Sequence, residues 1–91
     1  MRMSGIRWKS FGEWKAFAVA HLLGLQKKYE NDQKALNDIH SLLVKLHYLR
    51  GRDLSNFLFY CHLVVRDTKI GEILEIIPTV DEIGNLISGE Y

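Results

Sequence analysis

The apolar positions of this chain fall into helical periods along most of its length. Residues Met1–Lys9 show no period. From Ser10 onward the pattern changes: Ser10-Phe11-Gly12-Glu13 is a capping box, in which a serine oxygen and a glutamate satisfy free backbone donors of a first helical turn. Trp14, Phe17, Ala18, His21, Leu22 and Leu25 follow at helical spacing and define a wide apolar face. The polar stretch Gln26–Lys34 ends it, with Asn31 or Asp32 placed to cap a second helix.

Leu36, Ile39, Leu43 and Leu46 step by threes and fours, an apolar seam two heptads long. Extended backward, the same register takes in Tyr29, Leu25, Leu22 and Ala18, so one unbroken helix over 11–49 is the alternative to two. Asp32 would sit on the seam of that long helix, which favours a break there. Gly51 is placed as a C-cap.

Asp53 is placed to cap a third helix that carries Leu54, Phe57, Leu58, Cys61 and Val65 on one side. The run 57–65 is almost continuously apolar and rich in aromatic and β-branched residues, so a buried strand is the competing reading. Ile70, Ile73, Leu74 and Ile77 then fall at i, i+3, i+4 and i+7 and predict a further helix closed by Pro78, the single proline. Thr79-Val80-Asp81-Glu82 is a second capping box and opens a short final helix with Val80, Ile83 and Ile87 inward. The pattern predicts an all-α compact bundle of four to five helices, with α+β (a strand at 57–65) as the alternative. With no repeat or linker, the expectation is a single helical domain over 1–91, residues 1–9 forming a basic arm.

Composition adds a demand for cover. In 91 residues, 47% are hydrophobic, generous for a chain that buries only about 60% of its unfolded surface. The excess points either to a full core or to apolar surface covered by a second chain. The longest uncharged apolar segment considered as a span, Ala16–Leu25, is too short to cross a bilayer, which needs roughly 20 apolar positions. The lone Cys61 excludes an intramolecular disulfide framework and fits a reducing compartment. These features predict a soluble, cytoplasmic protein with no membrane contact.

Charge is split along the chain. Residues 1–52 carry ten Lys/Arg against four Asp/Glu, and residues 53–91 carry two against seven, so a formal net of +1 conceals halves of opposite sign. Such asymmetry predicts a two-faced molecule suited to docking.

Candidate chemistry is sparse. The hairpin around Pro78 has a helix-turn-helix outline, but it has no Lys or Arg from Ile70 to Tyr91 and five acidic residues, which oppose a polyanion. A nucleic-acid surface would instead use Arg2, Arg7, Trp8, Lys9, Trp14 and Lys15, where cations alternate with aromatics. His40 and His47 lie two helical turns apart, roughly 10.5 Å along the axis, too far to share one ion unaided. Cys61 and His62 are adjacent and point to different sides, so they do not make a nucleophile–base pair. The sequence predicts no catalytic residue, no metal and no cofactor.

The expectation is therefore a small non-catalytic regulatory or adaptor protein that acts by binding another protein, a composition shared by small inhibitors and modulators from mobile elements. Self-association as a homodimer is expected from the Leu36–Leu46 seam. Nucleic-acid binding by the basic N-terminal half is the alternative. The candidate partner-binding residues are Arg7, Trp8, Tyr48, Arg50 and Arg52, with Tyr91 a further exposed aromatic, because Trp, Tyr and Arg dominate binding energy.

Overall fold

Side-chain capping marks the start of three of the four α-helices; Asp53, expected to cap the third, precedes it without a side-chain cap bond. In a computed structural model that describes residues 7–90, Ser10 Oγ accepts the Glu13 N–H at 3.1 Å and opens α1 (Phe11–Lys28). The Glu13 carboxylate turns back to the Lys9 N–H, 2.8 Å away. The chain leaves α1 at Tyr29, turns, and Asp32 accepts the Ala35 N–H at 3.1 Å to start α2 (Gln33–His47). The break at Asp32 thus separates two helices, because a carboxylate that caps a helix N-terminus is better placed there than on an apolar seam.

A 3-10 turn, Gly51–Asp53, leads into α3 (Leu54–Thr68). Here the helix wins over the strand: Leu54, Phe57, Leu58, Cys61 and Val64 are buried, and Phe59 points to solvent at 65% exposure. The run looked strand-like because α3 carries apolar groups on its outer side as well. It ends at Lys69, which adopts the left-handed conformation (φ 65°) that glycine occupies most cheaply.

Residues 70–77 depart from the expected α-helix. Gly71–Ile76 is a 3-10 helix, with Ile70, Ile73 and Ile76 buried at intervals of three while Leu74 is 45% exposed. The change from 3.6 to 3.0 residues per turn has visible causes. Pro78 disfavours α geometry at Ile77. Carbonyls along the segment are also claimed by side chains of the first helix: Trp14 Nε1–H donates to Ile76 O at 2.7 Å, and His21 Nε2 bonds Glu72 O at 2.7 Å.

The last helix, α4 (Val80–Glu90), opens on the expected reciprocal box: Glu82 N–H donates to Thr79 Oγ1 and Thr79 N–H to Glu82 Oε1, at 3.2 and 2.8 Å. Its inward face is nevertheless turned from expectation. Glu82 and Leu86 are wholly buried, Ile83 and Ile87 half-buried, and Val80 is 84% exposed. A similar rotation affects α2, where Ala35, Ile39, Leu42 and Leu46 are buried and Leu36 and Leu43 lie at the margin.

The protein is all-α: four α-helices and two 3-10 segments, with no strand among the described residues. α1 packs against α2, the second 3-10 segment and α4, while α3 closes on α2 and that same segment. The buried side chains form one cluster with Trp14, Leu22, Ile39, Leu42, Leu46, Leu54 and Ile73 at its centre. No described helix is long and apolar enough to cross a membrane.

Candidate protein-docking surface

The oppositely charged halves are stitched together. Arg7 lies against Glu82, whose carboxylate accepts four hydrogen bonds: from Arg7 N–H (2.6 Å), Nε–H (3.1 Å) and Nη2–H (3.1 Å), and from Thr79 N–H (2.8 Å). Burial alone would raise the Glu82 pKa; the Arg7 hydrogen bonds and charge, with the Thr79 N–H, more than offset this and bring it down to about 2. At the other end of α1, Lys28 and Tyr29 both donate to Glu72, and these bonds hold its carboxyl below the ordinary range. Two carboxylates of the acidic half are therefore consumed by the basic half. The expected separation into a positive and a negative end does not hold for these groups.

This pairing also decides the fate of two sequence-predicted site residues. Arg7 spends its guanidinium on Glu82 and on the Ile77 carbonyl, and stacks over Trp8 at 4.2 Å. Trp8, expected at the surface, is only 6% exposed; its ring meets Phe17 at 5.2 Å, and Asn85 donates to its carbonyl. Both residues fasten the N-terminal segment to α1 and α4. Tyr48, at the C-terminus of α2, is 76% exposed. Arg50 and Arg52 are exposed on the connection into α3. Arg7 and Trp8 sit by α4, which also packs on the 3-10 turn that holds Arg52, and Tyr48 shares a groove with Gly12 near the start of α1. Tyr91 and Arg2 lie outside the described residues. The expected Leu36–Leu46 dimer seam also fails, since Ile39 and Leu46 are fully buried within the chain.

The surface left without an intramolecular partner lies elsewhere. An open groove of about 1050 Å³ runs between α1 and α2, walled by Gly12, Ala16, Val19, Ala20 and Leu23 on one side and by His40, Leu43, Val44 and His47 on the other, with Tyr48 at its end. Leu23 and Val44 are about half exposed. Lys15 and the two histidines are its only titratable side chains apart from Tyr48. Lys15 Nζ is held by the His47 and Leu49 carbonyls, where a cation offsets the C-terminal end of the α2 dipole. Tyr48 also borders a second groove of about 490 Å³ between α2 and α3, where Phe59 and Tyr60 stand beside Lys45. Leu23, Val44, Tyr48 and Phe59 thus mark an apolar band across three helices.

Sequence reasoning passed over the α1 wall, although a signal was present. From Ala16 to Gln26 the chain has no Asp, Glu, Lys or Arg. A helix apolar on all sides is one that needs cover on all sides.

The described residues contain no cluster of three His, Cys, Asp or Glu side chains able to hold a metal ion. Cys61 is buried, and burial pushes its thiol up to about 12, which keeps it protonated and poorly nucleophilic.

No family model matches the chain, and no curated protein or solved structure shows detectable similarity to it.

Proposed function

We propose that this chain is a small cytoplasmic regulatory or adaptor protein without chemistry of its own, and that it works by binding another protein along the outer face of α1 and the groove beside it. One observation carries the reading: the groove gathers exposed Leu23, Val44 and Tyr48 with Ala16, Val19, Ala20 and Leu43 into one largely apolar channel. Patches of this kind on small proteins mark interaction sites. A shallow channel between two helices suits a third helix that lays an apolar stripe into it. The nucleic-acid alternative draws less support, because Arg7, Trp8 and Trp14 are all engaged inside the fold.

The test is comparative. Tagged wild type, Leu23→Glu, Val44→Glu and the control Val80→Glu are used as bait in extract from the native host, with untagged chain added to the input. A protein retained by wild type and by the Val80 variant, and lost from both groove variants, supports the reading. Identical retention by all four baits overturns it.

A further inference from the structure

The outer face of α1 has a symmetry that names its partner. Glu13, Ala16, Phe17, Ala20, Leu23, Gly24 and Lys27 are all exposed, and their spacing is palindromic about Ala20. Three residues before Ala20 stands Phe17 and three after stands Leu23; four before is Ala16 and four after is Gly24; seven before is Glu13 and seven after is Lys27. An antiparallel copy of the same helix, related by a two-fold axis at Ala20, would therefore set apolar against apolar, small against small and carboxylate against ammonium. A two-fold interface requires this kind of self-complementarity, since each residue must suit the one it meets in the symmetric copy.

Spacing and packing agree with this placement. Glu13, Ala16, Ala20, Leu23 and Lys27 recur at intervals of three and four, the 3.5-residue period of helices that pack along their length. Ala16, Ala20 and Gly24 have little or no side chain, so two helix axes could approach to about 8 Å. Packing among the described residues does not require a glycine at 24, since a Cβ there would meet nothing within 4 Å, although glycine weakens a helix interior. Among the described residues Glu13 accepts the Lys9 N–H through Oε1, and its second oxygen accepts no hydrogen bond from them.

We infer that the protein forms a two-fold homodimer through α1, antiparallel about Ala20, with Glu13 of each copy paired to Lys27 of the other. This rests on the reading of the α1 face as a docking surface and names a second copy as its occupant. One helix pair makes a small interface, so dissociation in the micromolar range is expected, about 10–100 µM.

Charge exchange tests both the dimer and its register. Glu13→Lys sets two lysines face to face at both symmetric positions, and Lys27→Glu does the same with two carboxylates. Each should raise the dissociation constant by about tenfold or more. An equimolar mixture of the two variants restores both pairs and should sediment at twice the 10.6 kDa chain mass, at concentrations where each alone is monomeric. Ala20→Cys gives a readout independent of affinity: it should form a disulfide-linked dimer in air, while Ser55→Cys on exposed α3 should not, and buried Cys61 stays out of the reaction. Wild type at 10.6 kDa up to 500 µM, or a mixture that stays monomeric with no preferential Ala20→Cys linkage, overturns the inference. Loss of a foreign partner in Val44→Glu would still uphold the docking reading in that case, so the two can fail separately.

Discussion

The contact between Arg7 and Glu82 should govern the acid stability of the fold, and a pH series isolates it. Glu82 is fully buried, and its carboxyl titrates at about 2 instead of 4.5. A folded-state pKa below the unfolded value contributes stability that is complete above about pH 4.5 and disappears as pH falls towards 2. At 1.36 kcal/mol per unit, the shift corresponds to about 3 kcal/mol. Arg7 keeps 46% of its side chain in water, which screens the pair, so about 2 kcal/mol is the working figure.

Arg7→Met keeps the length of the stem but removes the guanidinium, leaving Glu82 with the two backbone donors at positions 7 and 79. Urea denaturation at pH 7.0, 4.5 and 2.5 is followed by tryptophan fluorescence, since Trp8 and Trp14 are both buried and report unfolding. The variant should lose about 2 kcal/mol at pH 7 and less than about 1 kcal/mol at pH 2.5, which lies far below the unfolded value and close to the folded one, so that most of the linked stability is gone. Glu82→Gln should lose about 1–2 kcal/mol at pH 7 and flatten the acid limb. The Glu72 carboxyl is also held below its ordinary range by Lys28 and Tyr29, so the deciding quantity is the difference between variant and wild type at each pH. A difference that does not change with pH would refute the reasoning, because it would show that the charge on Glu82 is not what Arg7 stabilises.

Three further outcomes follow from single contacts. Trp14→Phe removes the donor to the Ile76 carbonyl and part of a fully buried ring, and should cost about 2–4 kcal/mol by thermal or urea melting; a loss under 1 kcal/mol would mean the 3-10 segment does not depend on that bond. Lys69→Gly relieves the left-handed strain at the end of α3 and should stabilise by about 0.5–1 kcal/mol, whereas a lower melting temperature would show that Lys69 makes up the strain elsewhere. Cys61 should resist a disulfide reagent in native buffer and react in step with unfolding across a urea series; labelling at the rate of a free thiol would contradict its burial.

The starts of α1, α2 and α4 were legible in the sequence because capping is local chemistry, whereas Asp53 stands before α3 without making the expected cap bond. Ser10, Asp32 and Thr79 each accept from a backbone donor three residues on, and the residue types at those positions suffice to predict it. What was hidden depends on residues distant in the chain. The 3-10 segment looks α-helical by its own spacing, and its actual period is settled with Trp14 and His21, which lie more than fifty residues earlier. Glu82 reads as a solvated first-turn acid until Arg7 is placed beside it. Trp8 was expected at the surface for the same reason, since its cover comes from Phe17 and from the segment that Arg7 holds down. The groove was half legible: the charge-free run Ala16–Gln26 announced a helix with no polar face, but which side the chain itself would cover depended on where α4 and the 3-10 segment settled.

That settlement changes the meaning of the charge asymmetry. Arg7, just ahead of α1, and Lys28, at its last turn, hold Glu82 and Glu72, while Trp14 and His21 between them take carbonyls of the 3-10 segment. One side of α1 is thereby fastened along its whole length by opposite charges at its ends and hydrogen bonds at its middle. Burying both sides of an apolar helix would need a further layer: α2, α4 and the second 3-10 segment all pack on α1 and still leave Ala16, Ala20 and Leu23 exposed. Two pairs between the opposed halves thus act within the molecule and help close the chain on itself. On the proposed reading, recognition would use the side of α1 that the closure leaves open, where apolar contact would supply the attraction and the Glu13 and Lys27 positions would set the direction in which a second helix lies.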